Sequence, residues 1–194
     1  MHAQSCDLVE GFAAGDARLH RIRFRAMGCE MGAWVLTDDS GLASARLDIV
    51  RTWMALADSV LTRFDAGSEL RRLNATPGVP KAVSPLLWDA LDWALHAAEA
   101  TDGLYNPALL PALIAAGYDR DFATLRDSGQ DDAADGAFSV SESLPVMNTM
   151  WEAIRRNSMH RTVTLPPGMQ IDLGGTAKGW AAGLYKLNRV SQDW

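Results

Sequence analysis

Eight consecutive residues, Ile171-Asp-Leu-Gly-Gly-Thr-Ala-Lys178, constrain this chain more than any other stretch. Upstream of them, Val163, Leu165, Met169 and Ile171 read as short strands turned by Pro166, Pro167 and Gly168, which sets Asp172 at a strand end. Gly174 and Gly175 then open the next element, a helix. A strand, two glycines and a helix make an anion site. Free N–H groups at the helix start attract phosphate, glycine lets backbone and ligand come close, and Lys178 adds a point charge one turn in. Asp172 would accept hydrogen bonds from the polar edge of a heterocycle or from a ribose. The plainer alternative is a tight turn with an aspartate cap before a surface helix, and the octapeptide taken alone favours it. The stretch is not a Walker sequence, and its glycine spacing does not match a dinucleotide fingerprint.

The rest of the chain supplies elements that can carry such a loop. After a mobile start to about Arg18, His20 to Ala26 and Glu30 to Thr37 alternate in hydropathy, with Ile22 and Phe24 on one face and Met31, Ala33 and Val35 in step. Met27-Gly28 between them is expected to be a hairpin turn or a bulge. Met27 is either a core methionine, the commoner case, or a flexible apolar lid over a flat ligand. Asp38, Asp39 and Ser40 cap a helix from about Leu42 to Phe64. Its residues Leu47, Val50, Met54, Ala57 and Leu61 recur at steps of three and four, and Trp53, Leu56, Val60 and Phe64 widen the stripe into a well-buried helix. Phe64, at the exit, either plugs the core, the favoured alternative, or stacks on a ligand ring.

Ser68 starts a short helix that stops near Asn74, and Ser84-Pro85 starts another whose stripe is Leu87, Leu91, Ala94, Leu95 and Ala98, ended by Gly103. His96 on that helix has no second histidine or cysteine at ligand spacing and is expected to be structural or solvated. Gly103-Leu-Tyr-Asn-Pro107 is a turn before a further helix start. Tyr105 offers a ring there, and the backbone around Asn106 offers donors and acceptors, although Asn-Pro alone is simply a turn. From Asp121 to Ser143 the sequence is polar and acidic and reads as a surface insertion, and Pro145 to Arg156 has weak helical character.

Composition narrows the function classes. The 194 residues are 48% hydrophobic and 22% charged, which describes a globular chain with one sizeable core or two small lobes. A net charge of −6 provides no broad footprint for nucleic acid or for an anionic membrane, so any phosphate must be held locally. The only cysteines, Cys6 and Cys29, are expected to be thiols. No apolar run is long enough to span a bilayer, and the first residues lack a basic region followed by an apolar one, so the chain as written is expected to be cytoplasmic.

Four stretches taken in order, Phe24-Arg-Ala-Met-Gly, Arg63-Phe64 with Ser68-Glu-Leu-Arg-Arg-Leu-Asn74, Gly103-Leu-Tyr-Asn-Pro107 and Asp172-Leu-Gly-Gly-Thr-Ala-Lys-Gly179, resemble the successive motifs of the ApbE family, the FAD:protein FMN transferases. The resemblance implies an α+β fold, a mixed sheet with packed helices, forming the N-terminal portion of one domain over 19–194 that is incomplete at its C-terminus. It implies Mg²⁺-dependent transfer of FMN from FAD to a threonine hydroxyl of an acceptor protein, with release of AMP. By motif, Met27, Phe64, Leu104, Tyr105, Asn106, Asp172 and Lys178 would contact FAD, and Gly175 would offer its backbone carbonyl to the metal. The catalytic group is left unassigned. Family members are usually periplasmic or membrane-attached.

Two positions depart from the family pattern: Asn106 stands where aspartate is common, and Cys29 where threonine is common. The family pattern also continues beyond Lys178 into a histidine-containing segment and the aspartate and threonine that complete the metal site, for which this sequence has no counterpart. One carbonyl does not hold Mg²⁺ against water. The sequence therefore predicts weak or no turnover by this chain itself. Two alternatives to a transferase remain: a shortened, non-catalytic FAD-binding module, and a scaffold whose motifs serve packing alone.

Overall fold

The computed structural model describes residues 7–118 and 150–190, with only the backbone described for 7–14 and 185–190. The chain packs as two compact units, one of Met1–Asp58 with Tyr185–Trp194 and the other of Ser59–Leu184.

In the first unit, strands β1 (Asp7–Ala14), β2 (Ala17–Ala26) and β3 (Cys29–Thr37) form an antiparallel meander in the order β1-β2-β3. The sequence reading named no strand before His20, but β1 pairs with β2 from Asp7↔Arg21 to Ala14↔Ala17, with a register shift between Leu8 and Ala13. A first strand poor in alternation is invisible to periodicity, and only its partner reveals it. Every second residue of β2, from His20 through Ile22 and Phe24 to Ala26, is buried, which is the expected two-residue period. Helix α1 (Ser40–Leu61) follows, its first turn capped by Asp39, whose Oδ1 accepts the Leu42 N–H at 2.9 Å. Leu47, Met54, Ala57 and Leu61 are buried, as the spacing required, together with Ala43, but Val50, Trp53 and Val60 are half-buried and Leu56 is exposed, so the stripe is narrower than expected.

In the second unit, helix α2 (Glu69–Asn74) is capped by Ser68, whose Oγ accepts from Arg71 N. Helix α3 (Pro85–Ala100) is capped by Ser84, with Pro85 in the first turn. The Glu69 carboxylate ties the two helices together by accepting from Ser84 N at 2.6 Å and Ser84 Oγ at 2.5 Å. Strands β4 (Lys81–Ala82), β5 (Arg155–Asn157) and β6 (Thr162–Thr164) make an antiparallel sheet in the order β4-β6-β5. A 3-10 turn at Pro107–Leu109 leads into α4 (Leu110–Ala115), another 3-10 turn spans Met150–Ala153, and α5 (Ala177–Val190) closes the described chain. Leu70, Leu73, Leu87, Leu91, Val163, Leu165 and Ile171 are almost completely withdrawn from solvent. Each such side chain contributes about 1.5–3 kcal/mol relative to exposure.

The α+β class is as expected. His96 is exposed on α3, its Nδ1 beside Asp92 O at 2.9 Å. Cys29 is a free thiol. Cys6 and the acidic stretch from Asp121 to Ser143 lie outside the described residues. No helix among the described residues is long and apolar enough to cross a membrane.

Candidate functional site

The segment around Asp172 is built differently from the sequence expectation. Pro166 to Gly168 do turn the chain, with Met169 N donating to Pro166 O at 3.0 Å and Gly168 at φ +79°. The strand, however, ends at Thr164, and Ile171 to Thr176 is irregular. Ile171 and Leu173 are buried and Asp172 between them is not, an extended alternation without a neighbouring strand. The place of that strand is taken by one side chain. Asn74 Nδ2 donates to Ile171 O at 2.8 Å, and Asn74 Oδ1 accepts from Ile171 N at 2.8 Å. Asn74 is 3% exposed, so this pair of bonds satisfies both backbone groups of Ile171 where water does not reach. The sequence reading had Asn74 only as a helix stop. The one signal available was its place in the Ser68 to Asn74 motif, and composition says nothing of a contact 97 residues away.

Beyond Ile171 the loop is tied down at each step. Asp172 N donates to Pro107 O at 2.8 Å, which joins the loop to the turn at Gly103 to Pro107. Asp172 Oδ1 accepts from Gly174 N at 3.0 Å in an Asx turn, and Oδ2 lies 3.8 Å from Arg63 Nε. These two side chains are 12% and 19% exposed, so the pair is largely shielded and Asp172 is held facing Arg63. The helix then begins at Ala177, after Gly174 and Gly175 rather than at them, with Thr176 N and Ala177 N both donating to Leu173 O. Lys178 is the second helical residue. Its side chain is exposed and makes no ion pair among the described residues.

Tyr105 closes the other side of the loop. Its hydroxyl is 3.0 Å from Thr176 Oγ1, and its ring lies so close to Gly175 that a Cβ there would sit 2.9 Å from Tyr105 Cε2. Only glycine admits that approach. Burial pushes the Tyr105 phenol above its ordinary 10.0; the hydrogen bond with Thr176 works against the rise, and the nearby Asp172 charge adds to it. Asn106 is buried, and its Oδ1 caps the 3-10 turn by accepting from Ala108 N at 2.9 Å. Leu104, in contrast, is 92% exposed.

Phe64 corrects the favoured expectation of a core plug. Helix α1 ends three residues before it, and the ring is 44% exposed. Arg63 places its guanidinium over that ring at 4.3 Å from the centroid while facing Asp172, and Arg71 Nη1 fixes the Arg63 carbonyl at 3.1 Å. Phe64, Tyr105, Asn106, Asp172 and Gly175 therefore converge on one loop cluster of the second unit. Arg63, Asn74 and Thr176, to which the sequence reading assigned no role, hold that cluster together. Met27 belongs to the first unit, at the tip of the β2–β3 hairpin.

Gly175 was the expected metal ligand. Mg²⁺ demands near-octahedral oxygen coordination. Of the side-chain oxygens on this loop, the Asp172 carboxylate is already engaged by Arg63 and Gly174 N, and the Tyr105 and Thr176 hydroxyls are engaged with each other. Among the described residues no three histidine, cysteine or acidic side chains group as a metal site. This donor set does not by itself fit Mg²⁺.

The fold is thus an α+β one whose glycine loop is clamped by an asparagine and flanked by an exposed phenylalanine and a largely shielded arginine–aspartate pair. Residues 27–186 match the ApbE family, and the chain belongs to that family. Solved structures agree in fold. The ApbE protein from Thermotoga maritima superposes with a TM-score of 0.62 at 18% identity, covering 97% of this chain and 54% of that one. The flavinyl transferase ApbE of Pseudomonas stutzeri, in its apo form, gives 0.65 at 14% identity, covering 93% and 54%. The flavin transferase ApbE of Vibrio cholerae gives 0.59 at 18% identity, covering 98% and 55%. The chain thus spans about half the length of these proteins. No curated protein matches it significantly.

Proposed function

We propose that this chain takes part in FAD:protein FMN transfer, in which a threonine hydroxyl of an acceptor protein attacks the FMN phosphorus of FAD. The P–O bond to the AMP half breaks, AMP leaves with the bridging oxygen, and the threonine proton is lost. Family membership supports flavin transfer. The observation that carries the reading in this chain is the half-exposed Phe64 ring beside the shielded Arg63–Asp172 pair, a flat apolar platform next to oriented polar groups. That pairing suits a ligand joining a planar ring system to hydroxyls and phosphates. In this role Asp172 accepts from the flavin or ribose edge, Phe64 stacks, the Leu104 to Asn106 turn contributes backbone groups, and Lys178 neutralises part of the pyrophosphate. Catalysis is then mainly positioning and charge compensation. Mg²⁺ dependence rests on the family resemblance, and the described residues carry no step through the metal.

The test mixes the purified chain with FAD, Mg²⁺ and a threonine-containing acceptor peptide, then measures bound flavin, released AMP and the FMN adduct by mass. Adduct together with AMP supports transfer, flavin binding without AMP makes the chain a binding module, and absence of both overturns the proposal. Asp172→Ala and Lys178→Ala each weaken FAD binding by about 1.5–3 kcal/mol if they make charge-assisted contacts. Unchanged affinity in both variants removes them from the site.

A further inference from the structure

We infer that Arg63 makes this site selective for the phosphate-bearing form of its ring ligand, because it offsets the charge of the Asp172 carboxylate; the inference rests on the flavin reading above. Every residue it uses lies in the second compact unit. A ligand that carries phosphate is an anion, and an ionised aspartate beside it is repulsive unless a cation stands close. Asp172 Oδ1 is taken by Gly174 N, but Oδ2 receives no hydrogen bond among the described residues and keeps its acceptor capacity for a ligand N–H or hydroxyl. Arg63 Nε lies 3.8 Å from that oxygen, too far for a hydrogen bond and close enough to pair the two charges. The pair therefore offers an acceptor without presenting a net negative charge.

Arg63 is held where it can do this by more than the ion pair. Its guanidinium covers one face of the Phe64 ring at 4.3 Å from the centroid, which leaves the other face of that half-exposed ring for a ligand. Arg71 Nη1 donates to the Arg63 carbonyl at 3.1 Å and Phe64 N donates to Thr62 Oγ1 at 3.2 Å, so the backbone that carries both side chains is fixed. An arginine does not lose its proton at any working pH, so the compensating charge is permanent. Its shielding sets it apart from the other cations of the motifs. Arg71 and Lys178 are exposed, and water and salt screen them, whereas the Arg63 and Asp172 side chains are only 12% and 19% exposed.

The test titrates four forms of the full chain, wild type, Arg63→Met, Arg63→Lys and Asp172→Asn, with riboflavin, FMN and FAD by calorimetry at low and high salt. Riboflavin and FMN share the ring and differ by one phosphate. At an effective dielectric of about 20, a unit charge about 10 Å from another alters affinity roughly tenfold. Arg63→Met is therefore expected to lower the ratio of FMN to riboflavin affinity about tenfold at low salt and by less at high salt. Arg63→Lys keeps the charge and should hold the ratio within about threefold of wild type. Asp172→Asn retains an oxygen for Gly174 N, removes the negative charge and should raise the ratio. An Arg63→Met protein that loses riboflavin and FMN in equal measure gives Arg63 a structural role only and overturns the inference, with the flavin reading left standing. Should Arg63→Met not fold, an Asp172→Asn ratio equal to that of wild type overturns it instead. A wild-type chain that binds FAD but does not prefer FMN to riboflavin also overturns it, and one that binds no flavin removes the flavin reading and the inference together.

Discussion

A methyl group at position 175 would lie 2.9 Å from Tyr105 Cε2, closer than carbon atoms approach without something moving. The ring is half-buried against the loop and its hydroxyl is bonded to Thr176, so swinging it away would break that bond. Gly175→Ala should therefore cost about 1–3 kcal/mol, the usual range for overpacking. Urea unfolding measures it, and a double-mutant cycle with Tyr105→Phe should show coupling, because displacing the ring also breaks the bond to Thr176. The raised Tyr105 pKa carries its own signature. The folded state binds this proton more tightly than the unfolded state, so the stabilisation is fully present below the ordinary value of 10.0 and is lost as pH rises through the folded pKa. Wild type should lose stability on the alkaline side faster than Tyr105→Phe, and equal slopes for the two would dismiss the argument. At this scale the sequence was partly legible. It marked Tyr105, Asp172 and Gly175, but it did not show that the missing Cβ of Gly175 is what lets Tyr105 pack.

One element behaves unlike its sequence pattern. The apolar alternation from Val163 to Ile171 read as strands, yet the ladder stops at Thr164 and the Ile171 backbone finds its partner in the Asn74 amide. A carboxamide carries a donor and an acceptor in the spacing of a peptide group, so one side chain at the end of α2 replaces a strand. Asn74→Ala should leave two buried backbone groups unpaired and cost about 2–6 kcal/mol, at about 1–3 kcal/mol for each. Asn74→Asp should not restore stability, since its carboxylate keeps the acceptor and sets a second oxygen against Ile171 O. Chemical denaturation gives the loss, and faster hydrogen exchange at the Ile171 amide localises it. Helix α1 shows the opposite balance. Its steps of three and four predicted the buried residues Leu47, Met54, Ala57 and Leu61 correctly, because that period depends only on helix geometry. Its end was misjudged by three residues, because Phe64 has the composition of a helix stripe and only the exit of the chain turns its ring out.

At the scale of the molecule, a ligand that binds only the folded form raises its stability by mass action, about 2.7 kcal/mol at a hundredfold excess over Kd. FAD at that excess should therefore raise Tm in a scan with and without the ligand, and an unchanged Tm would count against flavin binding. The fold class and the family were both legible beforehand, since hydropathy periods specify elements and four ordered motifs specify a lineage. The first strand was not. β1 shows no clear alternation of its own and exists through its pairing with β2. By itself, then, the amino-acid order determined which segments become helices and where Ser68, Ser84 and Asp39 start them, because caps and periods are local properties of the chain. Only the tertiary structure decided that Asn74 stands in for a strand and that Arg63 sits between Phe64 and Asp172. Each of these joins a side chain to a distant backbone group or side chain, and such a contact comes into being only when folding excludes water from both ends.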